Sequence, residues 1–226
     1  MRTVDPARIR TPRDLAPYLD HTLLSPGASA ADVARVCAEA RAYGFAGVCV
    51  HAEHVPEVHH LLADTAALTI AVVDFPRGEG TPGARAEEAA AAVAAGAAEI
   101  DVVLPLPALL AGRYEAVLDD LRGVVAAAKV PVKVILETAR LTRDQKVVAA
   151  ALSRAAGAAY VKTSTGFGGG GATVEDVALL RTVVGDALGV KASGGVKTAA
   201  QALAMIRAGA SRVGASACVD IVHGTF

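Results

Sequence analysis

The chain has 226 residues, 53% hydrophobic and 20% charged, with 22 basic against 23 acidic side chains and a formal net charge of −1. At this length about 70% of the unfolded chain's surface can be buried, which fits one domain over residues 1–226 better than two. The charge balance supplies no global field for nucleic acid or an anionic membrane, and the low aromatic content, 4% with no Trp, leaves few stacking platforms for single strands.

Met1 to Arg10 alternates charge with small residues and has no apolar targeting core. Thr11, Pro12 and Asp14 then combine an N-cap, a first-turn proline and an acidic third position, predicting a short N-terminal helix. The first candidate strand is Leu19 to Thr22, followed by a helix start at Ser29 and Asp32 and a second strand at Gly47 to Val50. Leu68 to Val73 reads as the third strand. The alanine-rich run Ala86 to Ala98 reads as a crossover helix, because Ala is the best helix former. Glu99 to Leu104 is the fourth strand, and Tyr114, Val117, Leu118, Leu121 and Val125 share a helical face expected to pack outside the strands. Val132 to Glu137 and Ala159 to Thr163 are the fifth and sixth strands, with a capping box at Thr142 and Gln145 between them. Gly189 to Ala192 and Arg212 to Gly214 complete the series, after helix starts at Thr173 with Asp176 and at Thr198 with Gln201. Eight strand and helix units predict an α/β fold, a closed parallel (β/α)8 TIM barrel. No apolar stretch reaches the roughly 18 residues of a spanning helix. Cys37, Cys49 and Cys218, odd in number and without CxxC spacing, read as reduced, partly buried thiols of a cytoplasmic protein.

Parallel barrel strands are buried on both faces, so charged residues inside them need a reason. Asp20, Asp101, Lys133, Glu137, Lys162 and Lys191 all interrupt apolar runs. Singly, each can satisfy backbone donors at a strand end or snorkel to water. Together, Lys162 and Lys191 occupy comparable places on adjacent strands, with Asp101 on an earlier one. Two amines sharing a poorly solvated pocket favour a neutral form of one, able to attack a carbonyl and form an iminium. Asp101 then accepts and returns protons, directly or through a water. Spacing alone leaves open which lysine is the nucleophile.

Gly194, Gly195 and Val196 follow the seventh strand, and Gly214, Ala215 and Ser216 the eighth. Amides at such positions bind phosphate without a metal, and this end of the barrel is the usual phosphate site. Gly166, Gly168 and Gly171 formally match GxGxxG, but after the sixth strand rather than the first, so a substrate-enclosing loop is the better account. His51, His54, His59 and His60 cluster without HExxH, which reads as polar surface rather than a metal site. Cys49 reads as a packing residue.

These stretches resemble the deoxyribose-phosphate aldolase family from about Leu19 to Val219: LDHTLLSP from Leu19, YGFAGVCV from Tyr43, EID from Glu99, VKVILET from Val132, YVKTSTGF from Tyr160, GGAT with EDV through Val177, VKASGGVKT from Val190 and AGASRVGAS from Ala208. The resemblance implies Lys162 as the Schiff-base lysine, Lys191 as the second active-site lysine and Asp101 as the proton-relay acid. It implies Gly194, Gly195, Gly214 and Ser216 around a sugar phosphate, Lys197 nearby, and Asp20, Thr22 and Lys133 in support; Val196 of the anion-binding turn and Gly166 of the substrate-enclosing loop are candidates beside them. It further implies reversible cleavage of 2-deoxy-D-ribose 5-phosphate to acetaldehyde and D-glyceraldehyde 3-phosphate, with no metal or cofactor, in a homodimer or homotetramer. Two alternatives are a Schiff-base aldolase for another phosphorylated carbonyl compound and a catalytically silent binding barrel. The sequence departs from the family at His51, expected as asparagine, at Asp74, expected as glycine, and in the proline-bearing segment after Asp101. It also ends at Phe226, with little room for a covering tail. A polar contact of His51 at the pocket rim is therefore expected.

Overall fold

The computed structural model describes residues 3–226, so Met1 and Arg2, the start of the segment read for a targeting core, lie outside the described residues. Among the described residues eight strands close in chain order into a parallel barrel: β1 (Leu19–Leu23), β2 (Gly47–Val50), β3 (Leu68–Val73), β4 (Glu99–Val103), β5 (Val132–Ile135), β6 (Tyr160–Lys162), β7 (Gly189–Ser193) and β8 (Arg212–Ala215). The helices that cover it are α1 (Ala30–Tyr43), α2 (Val55–Leu62), α3 (Pro82–Ala94), α4 (Leu106–Leu110), α5 (Tyr114–Ala128), α6 (Arg143–Ala155), α7 (Val174–Val184), α8 (Ala199–Arg207) and α9 (Cys218–His223). The predicted strands all form, β2 and β3 with the predicted ends and the others with one or both ends shifted by one or two residues. The largest shift is in β5, which stops at Ile135 because Glu137 adopts a left-handed backbone, φ 56° and ψ 57°, incompatible with a strand.

The predicted caps hold the helix starts. Ser29 Oγ accepts from Asp32 N at 3.2 Å, Thr142 Oγ1 from Gln145 N at 3.3 Å, Thr173 Oγ1 from Asp176 N at 3.1 Å and Thr198 Oγ1 from Gln201 N at 3.2 Å. Such a cap contributes about 1 kcal/mol. The N-terminal helix is a 3-10 helix, Pro12–Tyr18. Pro17 within it has no N–H to donate, which disfavours an α-helical turn.

One helix face differs from expectation. In α5 the buried residues are Val117, Asp120, Leu121, Val124 and Ala128, while Tyr114 is 43% exposed. The true stripe follows i, i+4, i+7 and i+11 from Val117. Asp120 sits in it because Arg85 of α3 reaches over, with Nε 3.1 Å from Asp120 Oδ1.

Strand alternation sends the two faces to different fates. Outward residues such as Val48, Val50, Ile100, Val102, Val134, Val161, Val190 and Val213 join the large apolar core between barrel and helices. Inward residues of β2 and β3, Cys49, Ile70 and Val72, form a small apolar cluster with Leu24. The remaining strands turn charge inward.

Candidate active site

The strand register places the charged residues in one interior. Val72 pairs with Asp101, Asp101 with Lys133, Lys162 with Lys191, and Lys191 with Arg212. Asp101 is fully buried and central: Oδ1 accepts from Lys133 Nζ at 2.8 Å, and Oδ2 from Lys162 Nζ and Lys191 Nζ, each at 2.8 Å. Lys191 Nζ also makes an ion contact of 2.5 Å with Asp20 Oδ2, at an angle outside hydrogen-bond geometry. Lys133 Nζ lies 2.6 Å from Glu99 Oε2. Arg212 spans Asp20 Oδ1 at 2.6 Å and Glu99 Oε1 at 3.4 Å. The Tyr160 ring receives both Lys133 and Arg212, whose cationic centres are 5.9 and 5.8 Å from its centroid, within cation–π range.

Three carboxylates thus face four basic groups. Burial would raise the Asp20 carboxyl, but Lys191, Arg212 and Lys133 hold it at about 2. Burial acts likewise on Asp101, and the three lysines keep it well below the ordinary carboxylate range. For Lys191 burial favours the neutral amine, yet Asp101 and Asp20 outweigh it and raise its proton affinity; Lys133 is raised in the same way, chiefly by Asp101. Lys133, Lys191 and Arg212 each contact two carboxylates, whereas Lys162 contacts one and shares that oxygen with Lys191. The interior is electroneutral when one of the four bases has no proton.

Above this cluster opens a cleft of about 430 Å³ at the carboxyl ends of the strands. Lys162 is the one lysine of the cluster that lines it. Thr22, Gly166, Gly194, Gly195, Val196, Lys197, Gly214 and Ser216 line it as well. Asp20, Asp101, Lys133 and Lys191 lie beneath, linked by ion pairs, and Lys162 joins that cluster to the cleft. The segment from Gly194 to Val196 leads through Lys197, whose amide donates to Gln201 Oε1 at 2.9 Å, into Thr198, the N-cap of α8, a position where an anion is favoured. Gly171 packs so tightly that an added Cβ would overlap the Gly194 carbonyl, and Ala172 N donates to Gly194 O at 2.9 Å. The loops after β6 and β7 are thereby joined along one wall.

Several lining residues were not singled out from sequence. Thr165, Phe167, Ser193, Leu24, Ser25 and Pro26 complete the cleft, and Glu99 and Arg212 complete the charge cluster. Glu99 stands two residues before Asp101, and Arg212 two before Gly214, so alternation along each strand carried the signal. His51 lines an adjacent recess with Phe75 and Glu88, and its Nε2 is 3.3 Å from the carbonyl oxygen of Leu24, a residue of the cleft wall. His54, His59 and His60 do not line the cleft. Asp74 has φ 50°, the left-handed region natural to glycine; the Gly80 amide, at 3.0 Å from Oδ2, and Arg85 hold it there. Cys49 is buried, and its burial pushes the thiol up to about 11, as suits a packing residue.

A family model described as DeoC/LacD family aldolase matches residues 15–223. The deoxyribose-phosphate aldolase of Thermoanaerobacter sp. (strain X514) is 49% identical over 214 residues, covering 93% of this chain and 96% of that protein. That of Methanothermobacter thermautotrophicus is 49% identical over 217 residues, covering 96% and 97%. The tetrameric deoxyribose phosphate aldolase from Aeropyrum pernix superposes with a TM-score of 0.89 at 34% identity, over 96% of this chain and 93% of that one. With a family model matched over residues 15–223 and relatives 49% identical over nearly its whole length, the chain belongs to the DeoC/LacD aldolase family.

Proposed function

We propose that this chain reversibly cleaves 2-deoxy-D-ribose 5-phosphate to acetaldehyde and D-glyceraldehyde 3-phosphate through a Schiff base on Lys162. The observation that carries the assignment is geometric: Lys162 is the amine that joins the buried charge cluster to the cleft, and it has the fewest carboxylate partners.

In the cleavage direction Lys162 Nζ attacks C1 of the open-chain sugar, and loss of water gives the iminium. The C3 hydroxyl loses its proton, the C2–C3 bond breaks, and its electrons move to the iminium nitrogen to form an enamine. D-Glyceraldehyde 3-phosphate departs. Protonation at C2 restores the iminium, which water hydrolyses to acetaldehyde and free Lys162. Asp101, whose Oδ2 is 2.8 Å from both Lys162 and Lys191, relays protons between the two lysines. Gly166, Gly194, Gly195, Val196, Lys197, Gly214 and Ser216 hold the phosphate, with Asp20, Thr22 and Lys133 in support. The same reading takes residues 1–226 as one domain that acts in the cytoplasm as a homodimer or homotetramer; no described helix is long and apolar enough to cross a membrane.

Incubation with acetaldehyde, reduction with borohydride and mass mapping of the adduct test the assignment. An N-ethyl group on Lys162, with turnover of deoxyribose 5-phosphate that is lost in K162M, is expected. An adduct elsewhere, or none on the folded protein, overturns it.

A further inference from the structure

The residues Thr165 to Gly171 form a strap between β6 and α7, and one wall of the cleft is its root: Thr165, Gly166 and Phe167. On the β7 side the strap is stitched to Gly194. On the β5 side it meets Glu137, a buried residue of the β5 loop that is 1% exposed and outside the catalytic charge cluster.

Glu137 Oε2 accepts from Thr165 N at 3.2 Å and from Thr165 Oγ1 at 2.5 Å. Thr165 Oγ1 in turn accepts from Phe167 N at 3.0 Å. The next residue lies against the same carboxyl group: a Cβ at Gly168 would come within 2.6 Å of Glu137 Cδ and 2.8 Å of Oε2. Among the described residues Glu137 makes no ion pair, so every donor it has belongs to the strap. Burying a carboxyl group with so few partners is costly, and its Oε1 is buried without one; a left-handed backbone is likewise disfavoured for any residue with a side chain. Both features are concentrated at one residue whose contacts serve only the strap.

We propose that Glu137 is a positioning residue, holding Thr165, Gly166 and Phe167 against the cleft and thereby setting how tightly the phosphorylated end of the substrate is bound. Lys162 is held differently, by the β6 ladder and by Asp101, so amine chemistry and phosphate binding separate when the clamp is released. This proposal rests on the deoxyribose 5-phosphate reading for its substrate, but the clamp itself is testable with inorganic phosphate alone.

The experiment compares wild type, E137A, E137Q and G168A, the last pushing a methyl group into the clamp while leaving the carboxylate in place. In each, KM and kcat for deoxyribose 5-phosphate, competition by inorganic phosphate and the rate of borohydride trapping with acetaldehyde are measured. E137A and G168A are expected to raise KM and the inhibition constant of phosphate together by about ten-fold or more, since small misplacements of a binding wall have large effects. Their trapping rates stay within about two-fold of wild type, a change too small to touch the chemical step, and E137Q falls between wild type and E137A. Unchanged KM and phosphate inhibition in both variants overturn the proposal, as does loss of trapping in parallel with binding. If E137A does not fold, G168A decides by the same criteria. If wild type shows no turnover of deoxyribose 5-phosphate, the substrate assignment fails, and the phosphate and trapping measurements still judge the clamp.

Discussion

Replacing Asp20 with Asn tests the electrostatics of the barrel interior. The amide keeps the side chain's shape and removes one of three carboxylates that face four basic groups. Asp20 is fully buried and serves two of them, Arg212 at 2.6 Å and Lys191 at 2.5 Å. Removing one partner of a buried pair costs about 3–5 kcal/mol. A second route to the magnitude is the carboxyl's own protonation. Burial would raise it, but the neighbouring cations lower it from 3.8 to about 2, a displacement worth about 2 kcal/mol of stability through linkage. D20N is therefore expected to lose about 2–5 kcal/mol at neutral pH. The sign of the pH dependence follows from the depressed folded-state value: the contribution is complete above about pH 4 and disappears as the pH falls toward about 2. Urea unfolding of wild type and D20N at neutral pH and in steps through that acid window measures both quantities. The gap between them narrows on acidification. A gap below about 0.5 kcal/mol at neutral pH, the scatter of ordinary surface substitutions, or one that does not narrow in acid, would refute the reasoning.

Arg85→Ala removes a fully buried guanidinium that bonds Asp74, donates to Val103 O at 2.6 Å and contacts Asp120 at 3.1 Å. With both acids left unpaired, the loss is expected at about 3–5 kcal/mol, read as a lowered denaturation midpoint; a midpoint equal to wild type contradicts the buried pairing. Lys191→Met takes the second amine from Asp101 Oδ2, and kcat for the sugar phosphate is expected to fall about 10²- to 10⁴-fold. A steady-state assay with wild-type kcat in this variant would exclude Lys191 from proton transfer. Gly171→Ala forces the strap off the Gly194 carbonyl, so KM for the sugar phosphate rises while acetaldehyde trapping at Lys162 continues; an unchanged KM means that this contact does not shape the cleft.

Legibility in the sequence divides along physical lines. The strands were readable because Val- and Ile-rich runs buried on both faces leave a continuous signal. The charged residues within them were readable as anomalies, and Lys162, Lys191, Asp101, Asp20 and Lys133 do meet in space. Which lysine opens to the cleft was not, since exposure depends on how far along each strand a side chain sits: Lys162 and Lys191 are register partners, yet only Lys162 lines the cleft. The roles of Thr165 and Glu137 were hidden for a related reason, because their contact joins loops 28 residues apart. On α5, the spacing that joined Tyr114 to Val117 and Leu121 set the face about one residue off; helix rotation follows the continuous stripe from Val117 to Ala128. At Asp74 the expectation of glycine pointed to a real backbone constraint, whereas the partners that let an aspartate occupy it came from α3 and the Gly80 turn.

The barrel can hold so much charge because its apolar core lies elsewhere. Outward faces of the strands bury their valines and isoleucines against the helices, so the interior is not required to supply the hydrophobic stabilisation. A buried ion network is then at best neutral for stability against an apolar replacement, while breaking it halfway is costly. Glu99 and Arg212 lie in the part of the network farthest from Lys162, with neither lining the cleft. Arg212→Met leaves Asp20 and Glu99 each short of a cation and is expected to lose about 3–5 kcal/mol. Glu99 then keeps Lys133 alone, at 2.6 Å; adding Glu99→Leu removes the carboxylate that has lost a cation and restores part of the loss, so the double variant is more stable than Arg212→Met alone. Urea unfolding of both singles and the double closes the cycle. If the two substitutions simply add, the pair does not act as a unit, and the coupled-network account of the barrel floor fails.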